Sequence, residues 1–153
     1  MTRPKASTMT RLPDPDQYPE LYEGVPLKRL LAWVADTVLI VLLSLVITPF
    51  TAFTAVFFFP FLLMVVGFAY RVITLANGSA TLGMRLMAIE LRDGQDRHFD
   101  LGHALLHTAG YSLSFGTAIV QFISVIFMAS SQRGQSLTDM VLNTTALNRR
   151  RNR

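Results

Sequence analysis

From Thr37 to Tyr70 the chain carries no Asp, Glu, Lys or Arg for 34 residues, and from Leu101 to Gln132 it carries none for another 32. Charged residues make up 16% of the whole, against roughly 25% in an ordinary soluble domain. The deficit lies entirely in these two apolar blocks, and a chain patterned this way is read as an integral membrane protein. There is no cysteine, which excludes disulfides, thiolate metal sites and a cysteine nucleophile. The net charge of +4 comes largely from the terminal Arg149, Arg150, Arg151 and Arg153 and from basic residues before the first block. Beside a membrane, such clusters set orientation and meet lipid headgroups. A nucleic-acid partner is therefore not expected.

The first 24 residues are polar, contain Pro4, Pro13, Pro15 and Pro19, and lack apolar periodicity. They read as a disordered tail rather than a signal peptide, so the first block is a retained anchor. The apolar core of that block, Leu30 to Thr48, has the 19 or so residues that cross a ~30 Å hydrocarbon layer. Pro49 ends it. A single rod of 34 residues would be about 51 Å long, so the chain must turn and cross back. Helices are expected over about 27–48 and 50–76. Lys28 and Arg29 precede the first helix, Arg71 and Arg85 lie near and beyond the end of the second, and the turn carries no charge. The positive-inside rule then puts both ends in the cytoplasm and the turn outside.

Residues 77–100 are too charged for lipid and are expected in the cytoplasm. Leu86, Ala88 or Ile89 and Leu91 suggest an extended stretch, Asp93-Gly94 a turn, and Arg97 to Phe99 a returning strand. Asp100 is placed to cap a helix beginning at Leu101. The second block, about 101–131, has a polar, glycine-bearing middle at Ser112, Ser114, Gly116 and Thr117. It is either one crossing or a short re-entrant pair. We favour the pair, because a single crossing would export Arg133 and the terminal arginines. The fold class is thus an all-α membrane protein: a transmembrane helical hairpin, a second broken apolar helical block, and a small cytoplasmic extended segment.

Intramembrane charge is where chemistry is expected. Asp36 lies two helical turns beyond Arg29, about 10 Å deeper on the same face. A lipid-facing aspartate costs roughly 2.5 to 3.5 kcal/mol at a helix centre, so Asp36 needs a partner. In an antiparallel hairpin Arg71 lies at a similar depth, and the two are expected within salt-bridge or one-water reach. Asp139, in SLTDMVLNTTAL, comes to the same cytoplasmic face in an even topology, where it closes a polar cluster with Arg29 and Asp36.

The arginine opening the first helix, the aspartate inside it and the aspartate of LTDMVLNTT resemble the residues that give the RDD family of small membrane proteins its name. GSATLGMRLMAIELRDGQ is similar to the family's glycine-threonine-glycine stretch with its following strand, and RGQSLTDMVLNTTAL to its closing segment. The resemblance covers about Val25 to Leu147. It implies that Arg29, Asp36 and Asp139 are the family triad and that Gly78, Thr81 and Gly83 form the motif turn. Met84 and Arg85 stand where a lysine commonly follows the second glycine. On this reading 1–24 is a tail, 25–147 an RDD-like membrane domain and 148–153 a basic tail. The resemblance implies a protein of the bacterial inner membrane, with transport of ions or small ligands the activity proposed for such proteins.

Other motifs carry less. His103 and His107 have the spacing of a metal pair, but no third ligand is at hand, so an interfacial helix face bonded to backbone or water is expected and no metal or other cofactor. Gly78 to Gly83 lacks the Lys-Ser/Thr ending of a phosphate loop and reads as a backbone turn. Phe53, Phe57, Phe58, Phe59, Phe61 and Phe68 form a stripe for lipid or helix packing, and Trp33 and Tyr70 fit an interfacial belt. No Ser-His-acid arrangement is evident, and an enzyme is not expected. Two functions follow. One is an accessory or assembly subunit of a larger membrane complex, its Arg/Asp charges structural. The other is an ion- or proton-coupled transporter, working as a homo-oligomer with Asp36 as coupling carboxylate. Small positions Gly110, Ser114 and Gly116 would permit close helix contact in the second block.

Overall fold

The structure, a computed structural model, describes residues 10–150. Helix α1 runs Val25–Ile47, entered through the left-handed Gly24 (φ 68°), with Pro26 in its first turn, where the missing N–H costs nothing. Its buried residues are Val25, Ala32, Asp36, Ile40 and Ser44, a single stripe at helical spacing. Away from it, Leu27, Leu42 and Val46 are 61%, 55% and 63% exposed, an outward apolar surface suited to lipid.

Helix α2, Phe59–Gly78, runs back along α1: Tyr70 reaches Asp36 and Gly67 lies against Ile40. It begins nine residues later than the sequence pattern suggests. Pro60 is the reason. Inside a helix it would delete a hydrogen bond and clash with the preceding turn, so it is accommodated in the first turn of α2. The intervening residues form 3-10 turns at Thr48–Thr51 and Thr54–Phe58, with Ala52 (φ 49°) and Phe53 (φ 61°) left-handed between them. Including these turns, two unbroken helical stretches among the described residues are long and apolar enough to cross a membrane, with mean hydropathies of 2.6 and 2.2.

After the left-handed Ser79 comes the short helix α3, Leu82–Leu86, then strand β1, Ile89–Arg92. Its antiparallel partner is β2, Thr145–Asn148, in the register Ile89 opposite Asn148 and Arg92 opposite Thr145. The expected return through Arg97 to Phe99 is corrected here. Asp93 Oδ1 accepts the backbone N–H groups of Gln95 and Arg97, which curls the chain, and the Phe99 N–H is taken by Ser79 Oγ. The extended segment at 89–92 is real, but it pairs with the carboxyl-terminal end.

The second block is broken. Helix α4, Leu101–Gly116, is capped by Asp100, which accepts the His103 N–H as expected. Helix α5, Ala118–Ser130, follows after the extended Thr117 at a bend of 117°. At ~1.5 Å per residue neither reaches the ~30 Å of a hydrocarbon core. Helix α6, Leu137–Leu142, precedes β2 and opens with a capping box between Ser136 and Asp139. Of the small positions in this block, Gly110 lies against Thr138, where a Cβ would meet the threonine methyl at 2.7 Å, while Gly116 has open space around it.

A compact apolar core of Val25, Ala32, Leu75, Ala80, Met84, Ile89, Leu91, Phe99, Ala104 and Ala146 joins the helix ends to the sheet. The polar segment before α1 packs on this end too. Leu12 and Tyr22 are buried, the Arg11 N–H donates to the Gly94 carbonyl, and Asn148 donates to the Glu20 and Glu23 carbonyls. From Thr10 to Gly24 the expected disordered tail is thus a fastened strap, held by backbone contacts that its proline-rich, polar pattern does not reveal. Residues 1–9 of that tail and the basic residues 151–153 lie outside the described residues.

Candidate functional site

Asp36 is 1% exposed and receives donors from two directions. Tyr70 Oη on α2 donates to Oδ1 at 2.6 Å. The glycine-threonine turn supplies the rest: Thr81 Oγ1 donates to Oδ2 at 2.6 Å and the Gly83 N–H to Oδ1 at 2.8 Å. Thr81 is also the N-cap of α3, accepting the Met84 N–H, and Tyr70 Oη accepts the Leu82 N–H. The first turn of α3 therefore points its free N–H groups at the carboxylate and its tyrosine.

Gly83 is fixed by this approach. A Cβ there would lie 2.3 Å from the Ala32 carbonyl oxygen and 2.8 Å from Asp36 Oδ1. Gly78 is a different case, since a Cβ there would meet only the flexible end of Arg85. The expected salt bridge to Arg71 is not formed: among the described residues no carboxylate lies within 4.0 Å of it. Its guanidinium is stacked over the Tyr111 ring, with Cζ 4.3 Å from the centroid. Neutral donors with fixed geometry take the place of the expected counter-charge. Tyr70, expected at an interfacial belt, is buried as one of them.

Asp139 is fully buried and gathers a second set. Arg29 Nη1 lies 2.6 Å from Oδ2, which also accepts the Ser136 N–H and hydroxyl. Oδ1 accepts from Thr144 Oγ1 at 3.1 Å and faces His107 Nε2 at 2.9 Å. Burial alone would push this carboxyl up, but the Arg29 guanidinium and the hydrogen bonds from His107 and Ser136 outweigh it and hold it well below the ordinary carboxylate range. One side chain thus ties α1, α4, α6 and the lead into β2. The expected Arg29–Asp139 association is present, while Asp36 belongs to a separate network.

His107 is the residue that sequence reasoning placed wrongly, as an interfacial group bonded to backbone or water. Its four-residue spacing from His103 suggested a pair, yet His103 Nδ1 bonds Asp100 at 2.9 Å and His107 bonds Asp139, so the two imidazoles serve different carboxylates. Both rings flank Phe99. Among the described residues no group of three His, Cys, Asp or Glu side chains converges as a metal site.

Between the two networks lies a cavity of about 560 Å³ whose walls include Arg29, Asp36, Arg71, His107, Thr108 and Tyr111. The remaining wall is mainly apolar, from Leu27 and Leu30 on α1 to Val125 and Met128 on α5. Trp33, on the same wall, donates Nε1–H to Tyr111 Oη at 2.7 Å.

The family model described as the RDD family matches residues 24–143. That span contains Arg29, Asp36, the glycine-threonine turn and Asp139. No curated protein and no solved structure matches the chain.

Proposed function

The chain belongs to the RDD family, and on that premise we propose that it is a non-catalytic integral membrane protein serving as an accessory or assembly subunit of a larger membrane complex, with its arginine and aspartates as structural ties. The observation that carries this reading is the state of the two aspartates. Each is buried, and every carboxylate oxygen already accepts at least one fixed donor. A coupling carboxylate must release its partners to exchange a proton or cation, whereas a tie keeps them. The outward faces of α1 and α2 leave long apolar surfaces for lipid or for another membrane subunit.

In this proposal the protein sits in the bacterial inner membrane as a multi-pass protein with both ends in the cytoplasm. The pairing of β1 with β2 supports that placement, since it joins the segment after α2 to the end of the chain on one side. Lys28 bonding Asn148 at 2.6 Å brings the start of α1 there as well.

A transport reading is favoured by one observation, the cavity that includes Asp36 and Arg71 in its walls. A single hairpin with a broken block offers little room for alternating access, so that reading requires a homo-oligomer. The two separate on isolation of the native protein from its membrane in mild detergent. A stable assembly with a different membrane protein is expected. A homo-oligomer whose ion-dependent flux in proteoliposomes disappears in Asp36→Asn, with the fold retained, would overturn the accessory reading.

A further inference from the structure

We propose that the cavity is a binding site for a single-chain anionic amphiphile, its phosphate head held by Arg71 and its alkyl chain lying along the apolar wall. This goes beyond the structural role of the aspartates and does not depend on a partner subunit.

Two groups on different helices point to a ligand. Arg71 lies seven residues inside the end of α2, about 10 Å along the helix. Its guanidinium rests on the Tyr111 ring, but among the described residues its N–H groups have no hydrogen-bond acceptor and no carboxylate within 4.0 Å. Asp36, the acid of the same wall, has its oxygens filled by Tyr70, Thr81 and Gly83. Arg29 and His107 are committed to Asp139. A cation with unfilled donors in apolar surroundings is costly. A phosphate would fill the planar fork through two parallel hydrogen bonds.

The second group is Thr108 on α4. It is fully buried, and its Oγ1 has no hydrogen-bond partner, although the residue forms part of the cavity wall. A buried hydroxyl is ordinarily satisfied; this one is closed to a water-sized probe, and rotation of the threonine to its other helix rotamer would bring it to a ligand oxygen in the cavity. Polar groups enter the wall from several elements, among them Arg29 and Asp36 on α1, Arg71 on α2 and Ser124 on α5, while Leu27, Leu30, Phe115, Val125 and Met128 offer the apolar surface for the chain. The volume of about 560 Å³ suits a small amphiphile, within the few hundred to ~1,000 Å³ common for ligand sites.

Trp33 lies in the wall and is the only tryptophan of the chain, so its fluorescence reports occupancy. The full-length protein, purified in an uncharged detergent, is titrated with lysophosphatidic acid carrying a brominated chain. Saturable quenching is expected, reversed by the unbrominated lipid. Arg71→Gln should weaken binding about 10-fold or more. Thr108→Val should weaken it about 3-fold, at the low end of what a lost neutral hydrogen bond does, without lowering the melting temperature of the ligand-free protein. Should Arg71→Gln fail to fold, the Thr108→Val titration decides alone. Equal quenching by a brominated monoacylglycerol would mean that the head is not recognised. Displacement by inorganic phosphate at matching concentration would mean a free-anion site. Either result, or unchanged binding in Thr108→Val, would overturn the proposal.

Discussion

The Gly83 N–H donates to Asp36 Oδ1 at 2.8 Å, and this bond exists because position 83 has no side chain. A Cβ there would lie 2.3 Å from the Ala32 carbonyl, a backbone atom on α1 that cannot swing away. Gly83→Ala must therefore push α3 off α1 and lengthen the bond to a buried carboxylate. The expected loss is roughly 1–3 kcal/mol, the cost of overpacking, plus a weakened charge-assisted hydrogen bond. Gly116→Ala is the matched control, because its Cβ meets open space. Thermal unfolding in detergent should show a lower melting temperature for the first variant and an equal or slightly higher one for the second. Equal melting of both would contradict the close packing.

That glycine marks the boundary of what the sequence could reveal. Asp36 and Asp139 stand out in a chain with so few charges, and the cost of burying a carboxylate demands partners for both. Arg29 for Asp139 followed from bringing both to one end of the bundle. A direct salt bridge from Arg71 to Asp36 did not form, because depth along a helix says nothing about side-chain direction. The neutral donors that fill Asp36 come from Tyr70 on the other helix and from a turn 45 residues away. Pro60 was visible, yet the apolar run around it masked its meaning for the start of α2. The pairing of β1 with β2 joins residues more than 50 apart, a relation no local alternation encodes.

Arg29 and Asp139 should behave as a unit. Arg29→Met removes the guanidinium that touches a fully buried carboxylate, leaving it held by Ser136, Thr144 and His107. Breaking a buried pair from one side typically costs about 3–5 kcal/mol. Adding Asp139→Asn removes the stranded charge, so the double variant should lose less than the sum of the two single ones. Melting temperatures and membrane accumulation of the four proteins form the cycle. Strict additivity would show that the 2.6 Å contact carries no coupling.

Acid stability should carry the mark of Asp139. Its folded-state pKa lies below the ordinary carboxylate value, because the guanidinium of Arg29 and the bonds from His107 and Ser136 outweigh burial. The proton is thus bound less tightly in the folded protein than in the unfolded one. The stability this provides is complete at pH values above the unfolded carboxylate pKa of about 3.9, and drains as pH falls below it toward the folded value. Melting curves taken from pH 7 to pH 3 should decline most steeply in the acid range. Asp139→Asn should be less stable at neutral pH and flatter below pH 4, and parallel curves would rule the contribution out.

The carboxyl terminus should report on the cytoplasmic side. β1 follows α2 after only the short helix α3, and β2 pairs with it over four residues, while Arg149 and Arg150 reach back to Glu90 and Asp96. A strand pair whose two halves lay on opposite faces of a bilayer would have to cross hydrocarbon with open edges, which lipid does not tolerate. On the proposed topology the chain between Arg92 and Thr145 leaves and returns on one side. In that proposal the 117° bend between α4 and α5 makes the return, with two helices each too short to span alone. Reporters that work on only one side of the membrane, fused after Arg153, should be active in the cytoplasmic form and silent in the external form. The same pair fused at Gln95, between β1 and α4, should give the same answer. Opposite answers at the two sites would mean that the second block crosses once and that the β1–β2 pairing does not exist in the membrane-embedded protein.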